Sequence, residues 1–136
     1  MPNHIPNYEV PVAGSAYPLA MISPPARNFL NSTFVNVKSL RDMEGEPLLE
    51  IHPEDAVARQ LHDGDMVRVF NDRGSYECKA QITTRAQPGM VVGLGVWWRK
   101  LGAKGTNVNE LTSQLLTDMG RAPVFYDCAV QVASLR

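Results

Sequence analysis

The segment from Met66 to Thr84 constrains the fold more than any other part of the sequence. Met66 to Asn71 is rich in β-branched and aromatic residues, Asp72-Arg73-Gly74 has the composition of a tight turn, and Ser75 to Thr84 alternates apolar with polar residues. The apolar positions of the alternating part are Tyr76, Cys78, Ala80 and Ile82. A strand, a short glycine-containing turn and an alternating strand predict a β-hairpin with one buried face.

Other short apolar segments predict further strands, namely Tyr17–Ile22, Leu48–Ile51, Met90–Leu94 and Val124–Val132. A helix is predicted from Pro53 to Leu61, because proline suits the first helical position and the acidic Glu54 and Asp55 suit the positive end of a helix. Residues 27–43 are ambiguous, and residues 1–16, with three prolines, predict an extended arm or linker ahead of one domain at 17–136. About six short strands with few helices predict a mainly β protein, a β-barrel with a few short helices.

Composition excludes several classes of function. The chain has 136 residues, a net charge of -1 and no apolar run of the length that a membrane span needs, so neither a nucleic acid nor a membrane is an expected partner. Two cysteines and three scattered histidines offer no spacing typical of a metal site, so no metal ligand is predicted. The first residues do not resemble a signal peptide, and a cytoplasmic location is expected.

The usual catalytic motifs are missing, since the sequence contains no GxSxG, GxxxxGK[ST], HExxH or GxGxxG. Cys78 and Cys128 fall in predicted strands and are interpreted as buried structural thiols. His52 is interpreted as a helix-entry residue and His62 as a solvated one. No catalytic residue is predicted.

Two loop-like segments carry many amide and hydroxyl groups. The first runs from Ser23 to Thr33, and the second begins at Trp97-Trp98-Arg99 and ends at Asn107-Val108-Asn109-Glu110-Leu111-Thr112. Amides and hydroxyls donate and accept hydrogen bonds, tryptophan adds a flat apolar surface, and Arg27 or Arg99 suits a phosphate. This equipment favours a large heterocyclic ligand, although asparagines are also common in ordinary turns.

Several segments resemble one known family. They are Leu49-Glu50-Ile51-His52-Pro53-Glu54-Asp55-Ala56, Leu61-His62-Asp63-Gly64-Asp65-Met66-Val67-Arg68-Val69, Asn71-Asp72-Arg73-Gly74 and Arg85-Ala86-Gln87-Pro88-Gly89-Met90-Val91. Together with the two polar loops, they resemble the C-terminal molybdopterin-dinucleotide-binding domain of the molybdenum/tungsten oxidoreductases. That family includes formate dehydrogenases, dimethyl sulfoxide reductases and nitrate reductases, and the resemblance covers roughly residues 17–133.

The resemblance implies a six-stranded double-psi β-barrel, aspartate-decarboxylase-like, that binds molybdopterin guanine dinucleotide. Relatives often carry His-Ser where this chain has Asn31-Ser32, and many carry Phe-Lys where it has Phe125-Tyr126. The residues predicted to bind the cofactor are Ser23, Arg27, Asn31, Ser32, Thr33, Trp98, Asn107, Asn109, Thr112 and Tyr126.

The resemblance also implies that the molybdenum or tungsten ligand and the iron–sulfur cysteines lie on other domains. We therefore expect this chain to catalyse nothing alone and to act as a C-terminal domain or a small subunit. Its expected partners are the remaining domains or the catalytic subunit of a molybdenum/tungsten oxidoreductase. Two alternatives stay open: a protein-binding adaptor barrel without a cofactor, and a pyruvoyl-dependent decarboxylase that cleaves itself between Gly74 and Ser75.

Overall fold

The computed structural model describes residues 4–136, and its central feature is a closed barrel of six strands. The strands follow one another around the barrel in the order β1-β5-β2-β4-β3-β6, and β6 pairs with β1 to close it. Their bounds are β1 Leu19–Ile22, β2 Leu48–Ile51, β3 Met66–Phe70, β4 Ser75–Ile82, β5 Met90–Gly93 and β6 Ala129–Ser134. The mainly β, six-stranded barrel expected from the sequence is confirmed.

Two of the strand pairs are parallel, β1 with β5 and β2 with β4, and the other four are antiparallel. The predicted hairpin is present: Phe70 pairs with Ser75, and the Asn71 N–H donates to the Gly74 carbonyl across the turn at 3.1 Å. Inward-pointing residues of the strands enclose one apolar core. Its fully buried members include Leu49, Ile51, Val67, Val69, Val91 and Val130.

The helices differ in part from the prediction. The ambiguous region contains a helix α1 at Lys38–Glu44, which ends at Gly45 with a φ of 80°. The predicted helix from Pro53 ends at Val57 rather than Leu61, giving α2 Pro53–Val57. It stops early because Gln60 takes a left-handed φ of 55° and the Leu61 N–H turns back to the Ala56 carbonyl, a common helix ending.

The last strand begins later than the sequence suggested. Residues 124–128 are not part of β6, because the preceding chain forms a separate small hairpin in which Leu116 pairs with Pro123 and Val124 donates to the Leu115 carbonyl. Cys128 therefore lies just before the strand, although it is only 2% exposed. The interpretation of Cys78 and Cys128 as buried thiols is confirmed.

Candidate functional site

The parallel pairing of β1 with β5 brings the two polar loops together. Ile22 of β1 pairs with Val92 of β5, so both strands end at the same edge of the barrel. The loop after β1 and the loop after β5 therefore leave side by side, although about 70 residues separate them in sequence. A backbone bond from the Gly95 N–H to the Pro24 carbonyl, at 2.9 Å, joins them directly.

A second small apolar cluster lies beneath these loops. Its buried members are Ala26, Phe29, Val35 and Trp97, and the rings of Phe29 and Trp97 meet edge to face at a centroid distance of 5.2 Å. Gly95 allows this packing, because it has a φ of 74° and a Cβ there would lie 3.1 Å from the Ala26 Cβ. The cluster fixes the relative position of the two loops without using their polar side chains.

The first loop ends in a tight turn at Leu30–Thr33. Leu30 and Thr33 exchange backbone hydrogen bonds, and Asn31 occupies the left-handed region with a φ of 53°. Asparagine tolerates that conformation better than most residues, which gives a local reason for Asn31 at this position. The Trp98 indole N–H donates to the Ser32 carbonyl at 2.7 Å, so Trp98 holds the turn of the first loop from the second loop.

In the second loop, Asn107 and Asn109 have different surroundings. The half-buried Asn107 donates from Nδ2 to the Trp97 carbonyl at 2.8 Å and accepts the Asn109 N–H on Oδ1 at 3.0 Å. The exposed Asn109 side chain makes no hydrogen bond within the described residues, while the Thr112 hydroxyl donates to its carbonyl at 3.2 Å. Asn107 is thus used to shape the loop, and Asn109 is presented by it.

The predicted site residues consequently divide into three groups. Six of the predicted residues make no side-chain hydrogen bond or ion pair within residues 4–136: Ser23, Arg27, Asn31, Ser32, Thr33 and Asn109. Trp98, Asn107 and Thr112 use theirs to hold the loops. The Tyr126 ring meets the Phe125 ring edge to face in the segment before β6, and no described contact connects Tyr126 to the two loops.

The free groups fit the chemistry of a pterin–guanine dinucleotide. Pterin and guanine edges are neutral arrays of donors and acceptors, which amides and hydroxyls can match without a paired charge. The exposed Arg27 guanidinium makes no ion pair among the described residues and can meet a phosphate, whereas Arg99 is engaged with Glu110 at 2.5 Å. The donor set therefore suits the implied cofactor.

Sequence reasoning missed the residues that hold the far end of the second loop. The buried Leu111 carbonyl accepts from Asn71 Nδ2 at 3.0 Å, Arg73 Nε at 2.7 Å and Cys128 Sγ at 3.3 Å. The sequence marked Asn71-Asp72-Arg73-Gly74 as a hairpin turn and as one of the segments that resemble the family. Nothing in that pattern indicated that its side chains point back to Leu111.

Two findings limit other kinds of site. Within the described residues, no cluster of three or more His, Cys, Asp or Glu side chains is arranged to hold a metal ion. No helix in the described part of the chain has the length and apolar character required to cross a membrane.

Comparison with known proteins identifies the family of the chain. The family model for the molydopterin dinucleotide binding domain matches residues 19–129. A protein of Halobacterium salinarum named as a putative catalytic subunit of dimethyl sulfoxide reductase is 39% identical over 116 residues, which are 85% of this chain and 14% of that protein. The dimethyl sulfoxide reductase DmsA of Escherichia coli is 34% identical over 130 residues, covering 93% of this chain and 16% of its own length.

A solved structure shows the same fold. Acetylene hydratase from Pelobacter acetylenicus superposes with a TM-score of 0.81 over 98% of this chain and 21% of its own, at 15% sequence identity. At that identity the likeness concerns the fold alone. The chain thus spans between about one seventh and one fifth of the proteins it matches here.

Proposed function

We propose that this chain, which belongs to the molydopterin dinucleotide binding domain family, binds molybdopterin guanine dinucleotide through the two loops that follow β1 and β5. The observation that carries the proposal is the set of free amide, hydroxyl and guanidinium groups on loops held in place by other side chains. Asn31 and Asn109 supply neutral donors and acceptors, and Arg27 supplies a cation for the phosphates. When bound, the cofactor supplies the redox-active metal; the chain's own residues hold and orient it.

The proposal includes a place in a larger assembly. The relatives are named as catalytic subunits or reductases several times longer than this chain, so the other domains, or a separate catalytic subunit, of a molybdenum/tungsten oxidoreductase are the proposed partners. Exposed apolar side chains from the segment before β6 support a protein contact there: Leu115, Leu116, Met119, Phe125 and Tyr126. We propose a cytoplasmic location, with which two buried free thiols are compatible.

The direct test is an amide NMR titration of the full chain with molybdopterin guanine dinucleotide, with GMP as a ligand that contains the guanine half only. Shifts are expected in residues 23–33 and 97–112. Shifts confined to other parts of the barrel, or none at millimolar dinucleotide, would contradict the proposal and favour the adaptor alternative.

Three variants make the test specific. Asn109→Ala should weaken binding about twofold to tenfold, the value of one net hydrogen bond, and leave the free energy of unfolding unchanged. Asn107→Ala should lower stability, because Trp97 and Asn109 lose their partner. Gln87→Ala removes an exposed amide just before β5, at the opposite end of that strand, and should change neither quantity. Equal effects of Asn109→Ala and Gln87→Ala would remove Asn109 from the site.

A further inference from the structure

The side chain of Arg73 connects two parts of the molecule. On one side, its Nε–H donates to the Leu111 carbonyl at 2.7 Å. Leu111 lies between Asn109 and Thr112, so this bond bears on the backbone that presents Asn109. On the other side, both terminal nitrogens bind the Glu9 carboxylate, with Nη2 at 3.1 Å from Oε2 and Nη1 paired with Oε1.

Glu9 belongs to the arm that precedes the barrel, and the arm is docked on the barrel at Tyr8 and Glu9. The Glu9 carboxylate also accepts the Ala129 N–H at 2.7 Å. The Tyr8 N–H donates to Asp127 at 3.0 Å, and immediately after the arm the Tyr17 hydroxyl donates to Asp72 at 2.6 Å. These contacts join the arm to the β3–β4 turn and to the start of β6.

The chemistry of the guanidinium makes this connection specific. The Arg73 side chain is 34% exposed and that of Glu9 is 21% exposed, so the pair is partly removed from water. Arginine presents five N–H donors in a rigid plane, and here two edges of that plane are used at once. Lysine keeps the positive charge but has no planar fork, so it cannot hold Glu9 and the Leu111 carbonyl in the same arrangement.

We infer that Arg73 is a positioning residue that couples the docked arm to the segment 109–112, so that the Glu9 contact helps to set the placement of Asn109. The coupling itself concerns contacts within the chain. Its effect on cofactor binding rests on the proposed function of that segment.

The first test needs no ligand. Glu9→Gln keeps the shape of the side chain and removes its charge, so the amide signals of Leu111 and Thr112 are expected to shift in the folded full chain. Arg73→Lys keeps the positive charge but cannot make both contacts, so it is expected to shift the same signals away from their wild-type positions. The control is Arg68→Lys, because Arg68 lies on β3 with its guanidinium 5.0 Å from the Phe70 ring centre and makes no hydrogen bond or ion pair with the described residues of the arm.

A pH profile separates coupling from a passive structural role. Burial raises the pKa of Glu9, but the bonds from Arg73 and the Ala129 N–H and the charge of Arg73 outweigh it, so the net shift is downward. The other titratable groups near the Glu9–Arg73 pair are Cys128, whose thiol contacts Arg73, Asp72, which precedes Arg73 in the chain, and Asp127, which accepts the Tyr8 N–H. In the wild type, the Leu111 and Thr112 signals should change as pH falls below the ordinary glutamate range, and Glu9→Gln should lack that step.

Binding of molybdopterin guanine dinucleotide completes the experiment. Arg73→Lys should weaken binding about threefold to tenfold, whereas Arg68→Lys should not change it. If the wild type does not bind but Glu9→Gln shifts Leu111 and Thr112, the proposed function fails and the coupling stands. If the wild type binds and Glu9→Gln leaves those signals and their pH profile unchanged, the coupling is overturned. Far-UV circular dichroism confirms that each variant is folded.

Discussion

The contact between Tyr76 and Gly93 provides the sharpest test of the packing behind the second loop. Tyr76 is 5% exposed, and its hydroxyl has no hydrogen-bond partner of normal geometry among the described residues. The thiol of Cys78, two positions along β4, is a neighbouring polar group, but sulfur is a weak partner. Gly93 faces this hydroxyl from β5, and a Cβ built on it would lie 2.7 Å from the oxygen.

The expected magnitudes follow from that geometry. Gly93→Ala forces the oxygen or the strand to move, and overpacking of a core costs about 1–3 kcal/mol of unfolding free energy. Tyr76→Phe removes a buried hydroxyl that gains little from its surroundings, so it should leave stability unchanged or raise it by up to about 1 kcal/mol. In the Phe background the added Cβ meets Val108 Cγ2 at 3.5 Å and the ring Cζ at 3.9 Å, both ordinary van der Waals distances, so Gly93→Ala should cost almost nothing.

Urea unfolding of the four proteins, followed by circular dichroism, gives the coupling energy of this double-mutant cycle. We expect a favourable coupling of about 1–3 kcal/mol. Tyr126→Phe combined with Gly93→Ala is the matched control and should be additive, because Tyr126 is 48% exposed and lies in the segment before β6. Additivity of Tyr76→Phe with Gly93→Ala to within about 0.5 kcal/mol would refute the steric argument.

Three further predictions concern single groups. Trp98→Phe removes the indole donor to the Ser32 carbonyl and should lower the unfolding free energy by about 0.5–1.5 kcal/mol in urea unfolding, with amide shifts at the turn. The pKa of Asp65 is lowered chiefly by the bond from the His62 N–H, so the stability that Asp65 adds above about pH 4 should be lost as pH falls. In thermal melts, Asp65→Asn should remove that part of the acid dependence of stability. Burial raises the pKa of Cys78 to about 12, so iodoacetamide should label it only after unfolding, as read by peptide mass spectrometry.

The parts of the fold that depend on local patterns were predictable from the sequence. The hairpin of β3 and β4 follows from alternation and a glycine turn, and each predicted short strand has a counterpart in the barrel. The errors lie at ends set by tertiary contacts. Residues 124–128 have strand composition, but the residues before them form another hairpin, in which Leu116 pairs with Pro123. The end of α2 depends on the left-handed conformation of Gln60, which the composition does not predict.

The candidate site was likewise predictable where it depends on local composition and not where it depends on long-range contacts. Its two loops stood out by composition, and the parallel register of Ile22 with Val92 explains why they meet. That register is a long-range property that no local pattern contains. The support from Arg73 was missed because a turn arginine is ordinarily solvated, and its role depends on where Leu111 and Glu9 come to lie.

Burial separates asparagines that composition could not tell apart. Asn71 and Asn107 are half-buried, and a buried amide that loses water must find partners within the protein, as both have done. Asn31 and Asn109 are exposed, so water satisfies their side chains. The first pair therefore contributes mainly to the free energy of unfolding. Under the proposed function, the second pair contributes mainly to the free energy of binding, because its amides would exchange water for the edges of the cofactor.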